Sequence, residues 1–210
     1  MQKSDVSIVI PALNEPYLPK LIKKLKGYDV HIQTEKGLSY AVWKGIQKAE
    51  NEIVCVMDAD GSHSAGSIGN MGSCLSLSAG SWFVIGSRYV KGGYSEDGTV
   101  RKIMSLFYCF LARLLICWQI HDPMSGFWVG YRDKFVFKPN GNFKFGLQLI
   151  QKYKRHIVEY PIIFRKRRMG KTHINAKQAI GDLLEIVKVK GGKHKLRGEK
   201  PCGFPSFPFS

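Results

Sequence analysis

Two aspartates one residue apart, Asp58 and Asp60, follow the apolar run of residues 53–57 and enter a turn at Gly61. Carboxylates at this spacing can hold a divalent cation whose other sites take pyrophosphate oxygens. Mg²⁺ favours such a set of few carboxylates, oxygen ligands and substrate phosphates. A metal there would neutralise charge building on a departing diphosphate. Turns also favour Asp for local backbone hydrogen bonding, so Asp-x-Asp by itself leaves a metal loop and an ordinary turn both open. The preceding run bears on the choice, because ligands of open α/β sheets bind beyond the carboxyl ends of buried strands.

The elements that must position this pair can be read from hydrophobic periodicity. Residues 6–10, 30–33, 53–57 and 82–86 are short apolar runs that read as strands. Residues 18–26 carry Leu18, Leu21, Ile22 and Leu25 on one helical face with lysines on the other. Residues 40–49 are helical, with Ser39 as the expected N-cap. Residues 67–78 are ambiguous, since Gly69 and Gly72 weaken a helix where the alternation of elements wants one. Further on, residues 143–155 read as a helix, and residues 157–164 as an edge or bulged strand because Pro161 lies inside it. Residues 175–190 form an amphipathic helix with Ile180, Leu183, Leu184 and Val187 on one face. Strands alternating with helices imply an α/β fold: a mostly parallel sheet with helices on both faces.

Charge divides the chain. The net charge is +16, yet residues 1–100 hold ten Lys/Arg against ten Asp/Glu, so the whole excess lies in residues 101–210. Such a one-sided balance points to an anionic partner for the second half: phosphate, nucleic acid or an acidic membrane. Solubility charge on solvated helices is the plainer alternative. Cys55, Cys74, Cys109, Cys117 and Cys202 have no metal spacing, and the strand-like opening lacks a basic leader, so reduced cytosolic thiols are expected. Residues 103–120 are apolar over nearly a membrane span but contain Arg113, which would be costly inside a bilayer. An interfacial helix and a plain core helix both remain open there.

The order of short motifs narrows the field. Ser7-Ile8-Val9-Ile10-Pro11-Ala12-Leu13-Asn14-Glu15 resembles the opening strand and Pro-x-x-Asn-Glu turn of family 2 glycosyltransferases. Asp58-Ala59-Asp60-Gly61-Ser62-His63 resembles their Asp-Ala-Asp-x-Gln-His loop, and Ile85-Gly86-Ser87-Arg88-Tyr89 their Gly-Ser-Arg-Tyr segment. Asp122-Pro123-Met124-Ser125-Gly126-Phe127 is similar to a segment of the polyprenyl-phosphate branch, the dolichol-phosphate mannose synthase-like enzymes. Phe143-Lys144-Phe145 and the stretch from Phe164 to His173 resemble its last two motifs. The chain lacks the Gln-x-x-Arg-Trp motif of processive polysaccharide synthases.

The resemblance implies a GT-A fold, Rossmann-like and nucleotide-binding, as one domain over residues 1–190: a donor half to residue 100, an acceptor and membrane-facing half after it, and a basic mobile tail at 191–210. It implies that Pro11, Ala12, Asn14, Glu15, Asp58 and Asp60 bind a nucleotide sugar, GDP-mannose or UDP-glucose. Asp58, Asp60 and Ser62 would hold Mg²⁺ or Mn²⁺, although Ser62 stands where the family often has Gln. Arg88, Arg101, Ser125, Arg167 and His173 would hold donor or acceptor phosphates, with His173 in place of the usual Lys. Asp60, Arg88, Asp122 and Ser125 form the expected catalytic set. The implied reaction is inverting transfer of a sugar, mannose first, to dolichyl or polyprenyl phosphate. The implied setting is peripheral, at the cytoplasmic face of an anionic membrane, with a separate anchoring subunit as a further partner.

One departure bears on activity. The family places a strand ending in Asp-Asp-Gly-Ser, with a following helix, before the Gly-Leu-Gly-like turn. Here Asp29-Val30-His31-Ile32-Gln33 leads almost directly to Gly37-Leu38-Ser39. A strand–helix unit is missing, and Asp29 begins its segment rather than ending it. Donor recognition is therefore remodelled, or the chain is a non-catalytic basic module that binds lipid or nucleic acid.

Overall fold

The computed structural model describes residues 1–139 and 145–167. The helix expected at 175–190, the tail at 191–210, Phe143, Lys144 and His173 lie outside the described residues.

Six strands form one sheet: β1 (Val6–Pro11), β2 (Asp29–Gln33), β3 (Ile53–Val56), β4 (Phe83–Ser87), β6 (Trp128–Tyr131) and β7 (Ile157–Pro161). Their spatial order is β2-β1-β3-β6-β4-β7. β6 runs antiparallel to both of its neighbours, and every other pairing is parallel. A two-residue strand β5 (Tyr94–Ser95) pairs separately with β8 (Ile163–Phe164). Helices α1 (Leu18–Lys24), α2 (Leu38–Lys48), α3 (Gly66–Leu77), α4 (Thr99–Leu115) and α5 (Phe145–Tyr153) complete the chain.

The sheet is buried on both faces, which is why β1 and β4 read as continuous apolar runs rather than alternating ones. Pairing register sets Val30, Ile8, Cys55, Val129, Val84 and Val158 in one row across all six strands. That row belongs to a core shared with Leu21 of α1 and Ile68, Met71 and Leu75 of α3. The opposite face carries Val9, Val54, Val56, Phe83, Ile85 and Trp128 against Val42 and Ile46 of α2 and Leu149 and Ile150 of α5. Helices thus cover both faces, as the sequence pattern requires.

Three details differ from the sequence expectation. Ser39 does not cap α2: Gly37, at φ +95°, precedes the helix, and Ser39 is buried inside its first turn. The ambiguous 67–78 segment is helical despite its glycines, because Ile68, Met71, Cys74 and Leu75 bury one stripe against the sheet. β6 carries no strand expectation at all, being four residues long with Gly130 inside it. The glycine is required there, since a Cβ would come within 2.3 Å of the Phe83 ring.

The missing strand–helix unit leaves β2 paired directly with β1 at the sheet edge, four residues before α2. Asp29 aligns with Ser7 near the amino end of β1, away from the turn that follows β1. Cys55, Cys74, Cys109 and Cys117 are buried thiols outside any disulfide among the described residues, and burial pushes the Cys55 thiol far up, so it stays a protonated core group.

Candidate active site

Five chain segments meet at the carboxyl end of the parallel strands. β1 delivers residues 11–15, β3 the loop at 58–60, β4 Arg88, and β7 the run through Phe164 to Arg167. β6 runs the other way, so its entering loop, residues 122–127, reaches the same end. β1 and β3 are adjacent, and the Met57 amide extends their ladder by donating to Val9 O at 3.1 Å. The loop then turns at Gly61, φ +79°, where any Cβ would strike the Tyr17 ring at 2.4 Å. Only glycine combines that left-handed backbone with so close an approach.

The two aspartates differ in setting. The Asp58 side chain is 40% exposed, and His63 Nε2 stands 3.2 Å from its Oδ2. Asp60 is buried. Its Oδ1 accepts from the Ser62 amide (2.9 Å) and hydroxyl (2.5 Å), and its Oδ2 from Arg167 Nε (3.0 Å). Arg167 Nη2 also lies 3.9 Å from Glu15 Oε1, so one guanidinium spans the turn after β1 and the loop after β3. Hard oxygen donors of this kind, one of them reachable from solvent, fit a divalent cation. Among the described residues no three His, Cys, Asp or Glu side chains cluster for a metal, so further ligands would be diphosphate oxygens and water. The Ser62 hydroxyl is fully buried and donates to the Asp60 carboxylate. Ala12 is buried and continues the β1–β2 ladder through Gln33 O. Asn14 adopts φ +54° in the exposed turn before Glu15.

Arg88 and Asp122 form the strongest pair in the site. The buried Asp122 carboxylate accepts from Arg88 N (3.0 Å), Nε (2.7 Å) and Nη2 (2.7 Å). Burial by itself would lower the Arg88 pKa, but the hydrogen bonds and charge of Asp122 outweigh it and raise the value, fixing the cation. The guanidinium lies between the rings of Tyr89 and Phe164, 5.0 and 5.2 Å from their centroids. Asp122 thus fixes the direction of the Arg88 guanidinium. Ser125 is also turned inward: its hydroxyl donates to Gly86 O at 2.6 Å and accepts from the Phe127 amide at 3.2 Å. It braces the loop against β4. Arg101 comes from α4 rather than from a strand-end loop, and forms an i, i+4 ion pair with Asp97 at 3.3 Å.

Two site residues escaped the sequence reading. His63 was visible only as part of a motif, without a role. Glu159 on β7 accepts from the His121 and Asp122 amides, each at 2.8 Å, and so fixes the loop that carries Asp122. No local pattern marks Glu159, because its partners lie 37 and 38 residues away.

Residues 27–137, more than half of the chain, match the model of glycosyl transferase family 2. The chain belongs to this family. The family 2 chain is 32% identical over 185 residues to the dolichol-phosphate mannosyltransferase of Pyrococcus furiosus, covering 84% of this chain and 49% of that protein. It is 31% identical over 191 residues to the dolichol-phosphate mannosyltransferase of Saccharomyces cerevisiae, covering 81% and 69%. It thus spans about half the length of the archaeal relative and about two thirds of the yeast one. Among solved structures it is similar to glucosyl-3-phosphoglycerate synthase from Mycobacterium tuberculosis in complex with Mn²⁺, UDP-glucose and phosphoglyceric acid. The TM-score is 0.66 at 15% identity, covering 91% of this chain and 81% of that one. At that identity the likeness concerns the fold, which is GT-A.

Proposed function

We propose that this family 2 chain is a metal-dependent, inverting glycosyltransferase that moves a sugar, mannose first, from a nucleotide sugar to the phosphate of a dolichyl or polyprenyl lipid. The observation that carries the reading is the Asp58–Asp60 loop, flanked by Glu15 and Arg167, at the strand ends that also present the Asp122-held Arg88. The names of the archaeal and yeast relatives supply the sugar and the acceptor class.

In this reading an oxygen of the lipid phosphate attacks the anomeric carbon as the bond to the nucleotide diphosphate breaks. Phosphate is already anionic near neutral pH, so no dedicated base is needed to activate it. A divalent cation, Mg²⁺ or Mn²⁺, held by Asp58 and Asp60 supplies charge neutralisation at the departing diphosphate. Pro11, Ala12, Asn14 and Glu15 form the nucleotide side of the pocket. Arg88, with Nε and Nη2 held by Asp122, directs its remaining nitrogen to a phosphate oxygen. Arg167 and Arg101 add positive charge, and the work of the site is positioning and electrostatics.

The acceptor is a lipid, and α4 offers a face for its membrane. Val100, Ile103, Phe107, Phe110 and Leu114 repeat at three- and four-residue spacing and are all exposed, followed by exposed Trp118. Cys109 and Ala112, on the other side, are buried. Among the described residues no helix is long and apolar enough to cross a membrane. Arg113 answers Trp118, donating to its carbonyl at 3.2 Å with the guanidinium 4.5 Å from the ring centroid. The proposal is that α4 lies in the interface of an anionic membrane at its cytoplasmic face, alone or with an anchoring subunit.

The test is a donor panel with Mg²⁺ or Mn²⁺ and dolichyl phosphate, reading nucleoside diphosphate release and lipid-linked sugar. GDP-mannose is expected to be used. Preference for UDP-glucose would favour the second reading, which the UDP-glucose complex of the structural neighbour supports. No turnover with either donor, together with binding of acidic vesicles or RNA, would replace the enzyme reading by a non-catalytic module.

A further inference from the structure

The imidazole of His63 is almost fully enclosed, with 1% of its side chain exposed. It lies between the Phe127 ring, 4.8 Å away, and the Phe164 ring, 5.3 Å away in a T-shaped contact. Those rings come from the loop entering β6 and from β8, so the histidine joins three of the segments that build the site. A phenylalanine would fill such an apolar slot at least as well. The polar ring therefore needs a reason, since a buried polar atom without a partner is unfavourable.

Its nitrogens supply one. Nδ1 is buried and has no hydrogen-bond partner among the described residues, whereas Nε2 stands 3.2 Å from Asp58 Oδ2. The neutral tautomer with hydrogen on Nδ1 would bury an unsatisfied N–H and turn a lone pair on the carboxylate. The tautomer with hydrogen on Nε2 leaves only an unpaired acceptor and donates to Asp58. Gly126 also comes so close to that carboxylate that a Cβ would lie 3.0 Å from the same Oδ2. Asp58 is much more exposed than Asp60, so burial alone does not fix its direction and the contact from His63 contributes to it.

We propose that His63 is a positioning residue: it donates from Nε2 to Asp58 and holds that carboxylate in the orientation that receives the divalent cation. The inference rests on the metal-dependent reading of the Asp58–Asp60 loop. Outer partners of metal ligands commonly govern affinity by about 10–100-fold. A residue serving only the core would govern stability instead, and the two roles separate in one variant.

The test compares His63→Phe and His63→Gln with the unaltered chain, using Mn²⁺ alone and Mn²⁺ with GDP or UDP as probes. Bound Mn²⁺ is read from electron paramagnetic resonance of the free ion, and folding from thermal unfolding. His63→Phe should keep or raise Tm, because it removes the unpaired Nδ1, yet weaken Mn²⁺ binding about tenfold. His63→Gln, which restores an N–H donor, should recover most of that affinity. In turnover assays the Phe variant should need more Mn²⁺ while regaining most of kcat at saturating metal. Unchanged Mn²⁺ affinity in His63→Phe, or equal weakening in both variants with a lower Tm, would overturn the proposal. So would an unaltered chain that takes up no Mn²⁺ with or without nucleotide. Turnover by the unaltered chain decides the proposed function separately: binding without transfer would end that reading while the Mn²⁺ ratio still judges His63.

Discussion

The two ends of the same sheet hold polar groups in different ways. At the carboxyl end, pairs join distant parts of the chain: Arg88 with Asp122 across 34 residues, and Arg167 with Asp60 across 107. At the amino end the ion pairs among the described residues are local. Asp29 accepts from His31 two residues away, as well as from Ser7 on the neighbouring strand, and Lys134 pairs with adjacent Asp133. The amino end also has a hollow of about 630 Å³ lined by Glu50, Glu52, Trp82, Tyr131, Arg132 and others. Yet Trp82 there is stacked on His156 at 3.8 Å and covered by Lys134, so its ring faces already have partners. A hollow alone does not single out a site. Charges brought together over long loop closures are the stronger candidate mark, because ordering such loops is entropically unfavourable and local pairs would suffice for solubility.

The largest expected effect tests the stability side of this contrast. Asp122→Ala leaves the Arg88 cation buried without its carboxylate, and should lower unfolding free energy by about 3–5 kcal/mol in urea titrations. Replacing both, Arg88→Met with Asp122→Leu, should recover much of that stability but no turnover. Recovery of turnover would show that the pair is structural only. Asp60→Asn comes next. It keeps the loop's shape but removes charge at the leaving group, so kcat should fall on the order of 10²–10³-fold with the fold retained by circular dichroism. Near-normal turnover at saturating Mn²⁺ would remove Asp60 from the metal loop.

A smaller effect asks whether the carboxyl end works at a surface. Phe107→Ser with Phe110→Ser changes exposed residues only, and should weaken sedimentation with anionic vesicles roughly tenfold. Transfer to a short, soluble polyprenyl phosphate should stay near normal, which separates docking from chemistry. The smallest effect belongs to the amino end. Burial would raise the Asp29 carboxyl, but hydrogen bonds from Ser7 and His31 and the His31 charge hold it below its ordinary value. Its stabilisation is therefore fully present above the unfolded pKa near 3.9 and is lost as pH falls through the lower folded value. Asp29→Ala should cost about 1 kcal/mol at pH 7, a difference that shrinks below about pH 4, with turnover unchanged. A loss of donor affinity in that variant would mean that the amino end takes part in recognition.

What could be read from the sequence follows the same division. β1, β3 and β4 were legible because strands buried on both faces leave unbroken apolar runs. Asp58, Asp60 and Arg88 were legible because each directly follows such a run. β6 was not, since four residues including a glycine make no periodicity, and its place between β3 and β4 comes from long-range pairing. Ser62 and Ser125 have the right residue type, but only the folded loops turn their hydroxyls inward. Ser39 was misread for a similar reason: a good capping residue lost to a glycine whose positive φ the turn requires. Glu159 and the role of His63 depend on partners that only the fold brings near.

The reversed direction of β6 has a mechanical consequence. Arg88 leaves β4 at the point where residues 122–127 enter β6, and these two strands are paired side by side. Ser125 Oγ to Gly86 O, and the Gly86 amide to Phe127 O at 2.9 Å, rivet the two together. Twisting of the sheet therefore carries Arg88, Asp122 and Ser125 as one block. They form a fixed jaw. Residues 163–167 are tied in turn to the Asp60 loop, by the Arg165 amide donating to Ser62 O at 2.9 Å and by the Arg167 side chain, so the loop is braced through backbone and side chain together.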